Sequence, residues 1–156
     1  VYADEVAGSE YVEGCANIWN VKCDIAMPCA SQNEMDEAGA KALIANGAFA
    51  VFEGANMPLT PEAIAAVQAA GLLYTPGKAS NAGGVATSGL EMSQNSMRMS
   101  WSFEEVDEKL KGIMKKIFEA CLEASIECGK PGDMMLGANV AGFLKVADAM
   151  MAQGIV

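Results

Sequence analysis

The sequence predicts an α/β fold, in which three βα units share one parallel sheet and long C-terminal helices follow. Three short apolar runs begin at residues 23, 48 and 72, so their starts lie 25 and 24 residues apart. A helical pattern follows each run, and such alternation is typical of a parallel sheet. Beyond residue 100, the apolar residues recur at helical spacing. We expect a single domain over residues 1–156, with the βα units at 21–100 and the C-terminal helices at 101–156.

Turn and capping signals bound the first two units. Residues 23–30 form the first apolar run, and the helical stretch that follows stops at Gly47. Residues 48–52 form the second run. Thr60 is then followed by Pro61, which is the pattern of an N-cap residue with proline at the first helical position.

The third strand-like segment leads into residues 81–95, whose sequence is NAGGVATSGLEMSQN. The start of this stretch is too rich in glycine for an ordinary helix, and the whole is too apolar for a solvated linker. Ligands of open α/β sheets bind where a strand passes into a helix. Gly83 and Gly84 would give a ligand close access to the backbone. Asn81 and Ser88 would supply neutral hydrogen-bonding groups, so we predict a ligand site here.

An asparagine follows each predicted strand, at Asn33, Asn56 and Asn81. Right-handed crossovers place all three strand-to-helix loops at the carboxyl edge of the sheet. An amide offers a donor and an acceptor without charge, which suits ribose hydroxyls or a carboxamide. Asparagine also favours turns for local backbone reasons, and for each residue alone that reading stays open. Three amides at one edge, beside Gly54 and Gly83, favour a ligand cleft.

Two helices are predicted after residue 100. Ser102 and Glu105 have capping-box spacing at the start of the first, which carries an apolar stripe. Its lysines alternate with acidic residues, so a solvated face explains them better than a basic patch does. The sequence GKPG at 129–132 ends this helix, and a Met-rich helix is predicted over about 135–153. Its composition suits packing against irregular surfaces.

Composition excludes several classes of function. Twenty acidic residues against ten basic ones give a net charge of -10, which argues against nucleic acid as a partner. The uncharged runs fall short of the roughly 18 apolar residues that a spanning helix needs, so no membrane segment is predicted. Five widely spaced cysteines indicate reduced, cytoplasmic thiols. The chain has no histidine, so it offers no Ser-His or Cys-His pair, and no metal site is predicted.

The sequence lacks the fingerprint of a complete dinucleotide-binding fold. Such a fold carries GxGxxG in its first βα turn, and no such pattern occurs here, since Gly83, Gly84 and Gly89 do not match its spacing. The three units therefore fit the second half of a Rossmann-type parallel sheet. Lys78 is the only cation near the three loops, and we interpret it as a surface charge in preference to a catalytic group.

Several motifs together resemble one known family. They are PCASQNE at 28–34, EGANMP at 53–58, PGK at 76–78, the run at 81–95 and GANVAGF at 137–143. In this order they closely resemble the C-terminal part of hexameric glutamate dehydrogenases, over about residues 21–156. The run at 81–95 is more similar to glutamate dehydrogenases than to leucine, phenylalanine or valine dehydrogenases, which share the architecture and vary the pocket.

The resemblance implies a role for each site residue. Ser88 would hydrogen-bond the side-chain carboxylate of glutamate, and Val85 would line the pocket around its methylenes. Asn81 would hold the nicotinamide carboxamide, and Asn56 would lie near the nicotinamide ribose and the substrate. The residues that would pass beside the adenosine end of the cofactor or its ribose are Ala30, Ser31 and Gln32.

The resemblance also implies what the chain lacks. The family's catalytic Lys and Asp lie in an N-terminal substrate domain, so no catalytic residue is assigned here. We expect a fragment of the dinucleotide domain that is inactive by itself. The whole enzyme would oxidise L-glutamate to 2-oxoglutarate and ammonia, with NAD or, by preference, NADP. Its partners would be the rest of the same polypeptide and the other subunits of a homohexamer.

Other functions stay open from the sequence alone. One is a complete, non-catalytic module that binds a nucleotide or an amino acid and docks a partner through its final helix. Another is a structural α/β domain in which the asparagines serve turns and the glycines serve packing. Within the family, a leucine, phenylalanine or valine dehydrogenase is the alternative.

Overall fold

The computed structural model describes residues 2–154, and these form a small parallel sheet with helices. In chain order the elements are α1 (Tyr2–Glu5), a 3₁₀ helix (Cys15–Asn20), β1 (Ile25–Ala26), α2 (Glu37–Ala45), β2 (Ala50–Phe52), α3 (Pro61–Ala69), β3 (Leu73–Thr75), α4 (Gly77–Ser80), α5 (Ala82–Met97), α6 (Phe103–Glu127) and α7 (Met134–Gln153). The predicted α/β class and the three βα units are confirmed.

The sheet is parallel throughout, in the order β1-β2-β3. Ala26, Val51 and Tyr74 lie side by side in register across the three strands. Successive strands are therefore neighbours in space, and all three strand-to-helix loops leave from one edge, as the spacing of the apolar runs predicts. The first strand is shorter than the predicted run 23–30, because only Ile25 and Ala26 pair with β2.

The predicted cap of α3 is present, and α2 has a side-chain cap as well. The Asp36 carboxylate accepts from the Gly39 amide at 2.9 Å, and the Thr60 hydroxyl accepts from the Ala63 amide at 3.3 Å. Each side chain satisfies one of the amides that a helix start leaves without an intrahelical partner. Gly47, which follows α2, has a φ of +90°, a conformation that glycine adopts without strain.

The main core lies between the sheet and the helix pair α2 and α3. The row Ala26, Val51 and Tyr74 is buried and packs into this cluster. On the opposite face of the sheet Ile25 and Leu73 are 44% and 61% exposed, whereas Ala50 between them is buried. Because parallel sheets normally have both faces covered, this face has the character of a surface that receives further structure.

The 3₁₀ helix is one of the elements that the sequence does not predict. Its Trp19 is buried against α2, where an added Cβ on Gly39 would lie 2.8 Å from the indole ring. The indole N–H donates to the Glu34 carbonyl oxygen at 3.1 Å. A single tryptophan has no periodic pattern, so its docking onto a glycine of another helix could not be read from the sequence.

The glycine-rich stretch is helical from its start, which corrects the expectation of an irregular turn. α5 includes both Gly83 and Gly84. The helix tolerates glycine here because α5 packs along α6: an added Cβ on Gly83 would lie 3.6 Å from Met114 and 3.8 Å from Leu110. Gly83 therefore faces α6 rather than a ligand. The same construction on Gly84 meets no atom within 4 Å, so that position alone keeps the predicted open access.

The two C-terminal helices form an antiparallel hairpin. The predicted capping box is present, since Ser102 accepts from the Glu105 amide at 3.2 Å and the Glu105 carboxylate accepts from the Ser102 amide at 2.8 Å. α7 begins one residue before the predicted start, because Asp133 caps it. A second cluster of buried residues joins α4, α6 and α7, and its members are Ala79, Cys121, Met134 and Ala138.

Within residues 2–154, α7 is the helix that meets the length and composition of a membrane span. The sequence predicts no such span, because its uncharged runs fall short of the roughly 18 apolar residues that a spanning helix needs. Met134, Gly137 and Ala138 at the start of α7 are buried against the rest of the chain, and most of the helix is not buried.

Candidate functional site

The carboxyl edge of the sheet brings the predicted asparagines together. The side-chain amide of Asn81 donates to the Asn56 side-chain oxygen at 2.5 Å. The backbone amide of Asn33 donates to the Met57 carbonyl oxygen at 3.0 Å, so the loop after β1 lies against the loop after β2. Asn33 has a φ of +53°, which asparagine tolerates better than most residues. Thus turn geometry explains Asn33 by itself, but not the contact between Asn56 and Asn81.

A cavity of about 360 Å³ opens beside these loops. Asn33, Asn56 and Lys78 contribute its polar wall, and α3 and α7 contribute apolar side chains, of which Ile64 and Met135 are examples. Its walls come from all three loops. The cavity therefore marks the same edge that the three βα units predict as the ligand edge.

One exposed face of α5 carries the predicted substrate residues. Val85 and Ser88 are exposed, and they follow Asn81 by four and seven residues. At 3.6 residues per turn these three positions share one face. Gly84, which meets no atom within 4 Å, lies beside them. The N-terminal half of α5 thus presents an amide, an apolar side chain and a hydroxyl in a line, with free space over the backbone.

The hydroxyl of Ser88 is held less tightly to the backbone of α5 than those of Thr87 and Ser93. Its Oγ lies 3.3 Å from the Gly84 carbonyl oxygen. Thr87 and Ser93 make the equivalent backbone contacts at 2.9 Å and 2.8 Å. Because the Ser88 contact is long for an O–H···O hydrogen bond, this hydroxyl can turn to an incoming acceptor at little cost.

Three further predicted cofactor residues, Ala30, Ser31 and Gln32, are exposed on the loop after β1. The Ala30 amide donates to the Glu34 carboxylate at 2.9 Å, which closes this loop on itself. Ala30 lines a different cavity of about 530 Å³, beside the open edge of β1. These residues share the ligand edge with the asparagine pair, but no contact joins them to it in the described structure.

Lys78 does not stand alone on the surface. Its ammonium donates to the Asn139 side-chain oxygen at 2.5 Å, and so α4 is tied to α7. Lys78 is exposed, as expected for a surface charge, but it also forms this hydrogen bond between two elements. Asn139 belongs to the GANVAGF motif, which offers no periodic signal that would pair it with a loop 61 residues earlier.

Glu53 is a buried acid at the same edge, and sequence reasoning did not single it out. It is 4% exposed, and its Oε2 accepts from the Gly77 amide at 2.6 Å. Glu53 and Gly77 lie 24 residues apart, which equals the spacing of the second and third strand starts. Equivalent positions of consecutive units are neighbours in a parallel sheet, and that repeat is the signal that could have found the pair.

Tyr74, the central residue of β3, lines the same cavity as Glu53. Burial, and after it the negative charge of the Glu53 carboxylate, raises the pKa of the Tyr74 hydroxyl above its usual range. The phenol therefore stays neutral. Neither Tyr74 Oη nor Glu53 Oε1 has a well-aligned hydrogen-bond partner among residues 2–154.

Metal and disulfide chemistry finds no support in the part of the chain that is described. Over residues 2–154 there is no group of three or more acidic or cysteine side chains placed to hold a metal ion. The five cysteines are free thiols, and of these only Cys121 is buried. The arrangement can instead hold a ligand through amides and hydroxyls.

Comparison with known proteins identifies the family. The model of the glutamate/leucine/phenylalanine/valine dehydrogenase family matches residues 1–154. This chain belongs to that family. Similar relatives within it include a glutamate dehydrogenase of Bacteroides thetaiotaomicron, 61% identical over 99% of this chain, and an NAD(P)-specific glutamate dehydrogenase of Xylanibacter ruminicola, 61% identical over 99%. An NADP-specific glutamate dehydrogenase of Escherichia coli is 56% identical over 99%.

Solved structures of family members have the same fold. A glutamate dehydrogenase of Plasmodium falciparum superimposes with a TM-score of 0.85 at 51% identity, over 88% of this chain and 30% of its own. A hetero-hexameric glutamate dehydrogenase of Thermus thermophilus gives a TM-score of 0.84 at 25% identity, over 96% of this chain and 35% of its own. The predicted resemblance is confirmed. This dehydrogenase-family chain spans about a third, 34%, of the length of the curated relatives that it matches.

Proposed function

We propose that this chain is the part of an NAD(P)-dependent glutamate dehydrogenase that holds the nicotinamide and the side-chain carboxylate of glutamate. The whole enzyme interconverts L-glutamate and 2-oxoglutarate with ammonia. The name glutamate dehydrogenase, carried by relatives that are 56% to 61% identical, supports this assignment. The proposed acid-base residues lie in the remainder of the polypeptide, so the 156-residue chain alone is inactive in this proposal.

The contact between Asn81 and Asn56 carries the proposal. The Asn81 amide nitrogen donates to the Asn56 oxygen, which leaves the Asn81 oxygen as an acceptor and the Asn56 nitrogen as a donor. A carboxamide needs one acceptor for its NH₂ and one donor for its oxygen. The pair therefore offers the donor and the acceptor that a nicotinamide carboxamide needs.

The face of α5 supports the substrate half of the proposal. Asn81 and Ser88 are seven residues apart, so about 10 Å separates them along the helix axis. That distance leaves room for a nicotinamide ring and a glutamate chain beside it. Val85, 74% exposed between them, would contact the methylenes of the substrate. A hydroxyl at Ser88 suits a carboxylate, whereas leucine, phenylalanine and valine end in apolar groups, so Ser88 favours glutamate within the family.

In this mechanism the chain binds and orients the reactants. When bound, the nicotinamide supplies the hydride acceptor, and the chemistry belongs to the cofactor. The Asn81 amide fixes the rotation of the ring plane, and the Ser88 hydroxyl fixes the far end of the substrate. Such positioning accounts for a large share of catalysis, because the reacting atoms must be aligned at close range.

We further propose either NADP or NAD as cofactor, since close relatives are named for NADP alone and for both. The enzyme is proposed to assemble as a homohexamer in the cytoplasm. A family member described as a hetero-hexamer, with a TM-score of 0.84 to this chain, supports six-subunit assembly in the family.

Replacing Asn81 by alanine in the full-length enzyme tests this function. Loss of one or two neutral hydrogen bonds is expected to raise the KM for the cofactor about 3-fold to 10-fold, with a smaller change in the KM for glutamate. Steady-state kinetics at varied cofactor concentration measure it. The matched control is Asn46→Ala, which also removes one side-chain hydrogen bond, to the Asn20 carbonyl, but at the opposite edge of the sheet. Equal cofactor KM values for Asn81→Ala and the wild type would contradict the proposal.

A further inference from the structure

We propose that Glu53 is a positioning residue, which locks the loops after β2 and β3 together so that Asn56 and Asn81 meet in the geometry that the nicotinamide requires. This inference rests on the proposed function. It concerns a residue that touches neither reactant in that proposal and acts through the asparagine pair.

Glu53 bonds to the β3 side of the site three times. Its Oε2 accepts from the Gly77 amide at 2.6 Å. Its own amide donates to the Thr75 carbonyl oxygen at 3.1 Å, and its carbonyl oxygen accepts from the Ser80 hydroxyl at 2.5 Å. A single residue after β2 is thus fastened to three points in the segment that leads from β3 into α4.

The two loops touch through their backbones at this point. An added Cβ on Gly77 would lie 2.6 Å from the Ala55 carbonyl oxygen and 3.3 Å from Glu53 Oε2. A side chain at position 77 would push the loops apart. The glycine therefore allows the carboxylate to reach the backbone amide, and the charge-assisted hydrogen bond between them is of the stronger kind.

A short covalent path leads from this lock to each asparagine. Asn56 is three residues beyond Glu53, and Asn81 is four residues beyond Gly77. The backbone amide of Asn81 donates to the Gly77 carbonyl oxygen at 2.8 Å, and this bond closes the single turn of α4. Any shift of Gly77 relative to Glu53 therefore moves Asn81 relative to Asn56, and their side-chain contact is lost.

A carboxylate in this place is otherwise unfavourable. Glu53 is 4% exposed, and no Lys or Arg within residues 2–154 forms an ion pair with it. Its Oε1 has no well-aligned hydrogen-bond partner, and the neighbouring polar group is the Tyr74 hydroxyl, with which the carboxylate interacts. A buried carboxylate with an unsatisfied oxygen is costly to stability. In this proposal the Glu53 carboxylate offsets that cost by holding Gly77, and through it Asn81, in position.

The test compares Glu53→Ala, Glu53→Gln and the control Glu62→Gln in the full-length enzyme. Glu62 is an exposed acid in the first turn of α3. Glu53→Ala is expected to raise the cofactor KM about 10-fold, with a lesser change in the KM for glutamate. Glu53→Gln keeps an oxygen for the Gly77 amide and is expected to recover most of that loss. Glu62→Gln is expected to match the wild type.

A double variant separates positioning from general damage. If Glu53 acts through Asn81, then Glu53→Ala combined with Asn81→Ala raises the cofactor KM no further than the worse single variant. A cofactor KM in the double variant that equals the product of the two single effects would overturn the inference. So would a Glu53→Gln variant whose cofactor KM is as high as that of Glu53→Ala. If Asn81→Ala alone has no effect, the proposed function fails instead.

Ser80→Ala keeps the test decisive if Glu53→Ala does not fold. It removes the hydroxyl contact to the Glu53 carbonyl without leaving a charge unpaired. A rise of about 3-fold in the cofactor KM is expected, again without a further rise when Asn81→Ala is added. An unchanged cofactor KM for Ser80→Ala, or a multiplied effect in the double variant, would overturn the proposed lock.

Discussion

Replacing Gly137 by alanine is expected to destabilise the protein more than any other single methyl group added to this fold. An added Cβ on Gly137 would lie 1.9 Å from the Cys121 carbonyl oxygen and 2.8 Å from its carbonyl carbon. Both are backbone atoms of α6, so no side chain can move aside. The hairpin of α6 and α7 must open, which is expected to cost about 3 kcal/mol.

The control for this prediction is Gly142→Ala, on the same helix. An added Cβ there meets no atom within 4 Å. Because alanine favours the helix over glycine, this variant is expected to be as stable as the wild type or up to about 1 kcal/mol more stable. Thermal unfolding of the two full-length variants measures the difference. Equal unfolding midpoints would show that α6 and α7 do not pack at the distance described.

Replacing Ser88 by alanine is expected to weaken the binding of glutamate, and this is the second large effect. A hydrogen bond to a charged group contributes about 1.5 to 3 kcal/mol, so the KM for glutamate is expected to rise about 10-fold to 100-fold. The cofactor KM is expected to stay within about 2-fold, because Asn81 and Asn56 are untouched. The Ser88 contact to Gly84 is long, at 3.3 Å, so its removal costs α5 little stability.

Ser93→Ala is the matched control for Ser88. Ser93 is also exposed on α5, and its hydroxyl also bonds a carbonyl four residues earlier, at 2.8 Å from Gly89. It lies five residues further on and therefore on another face of the helix. The KM for glutamate of the Ser93→Ala variant is expected to equal that of the wild type. If the two variants had the same KM for glutamate, Ser88 would have no part in substrate recognition.

The sequence predicts those features that local chemistry repeats. The spacing of the apolar runs predicts the three parallel strands, and it predicts that Asn56 and Asn81 share an edge. The cap at Thr60 and the capping box at Ser102 follow from side chains that satisfy nearby amides. Each of these signals acts within a few residues or at a fixed repeat.

Each feature that the sequence does not predict depends on a contact between elements that are distant in the chain. The sequence predicts that Gly83 gives access to a ligand, but Gly83 faces Leu110 and Met114, because the packing of α6 decides which side of α5 is free. Trp19 docks on Gly39, and Lys78 bonds Asn139, with no periodic pattern that links either pair. Such contacts are set by tertiary packing, which a single sequence does not encode locally.

A crystal structure of the full-length enzyme with NADP and glutamate bound would test the assignment of Asn81 to the nicotinamide and of Ser88 to the substrate. The side-chain oxygen of Asn81 is expected to lie within hydrogen-bonding distance of the nicotinamide carboxamide. Ser88 Oγ is expected to have left the Gly84 carbonyl oxygen and to donate to the side-chain carboxylate of glutamate. A nicotinamide bound away from Asn56 and Asn81, or a glutamate carboxylate that Ser88 does not touch, would contradict it.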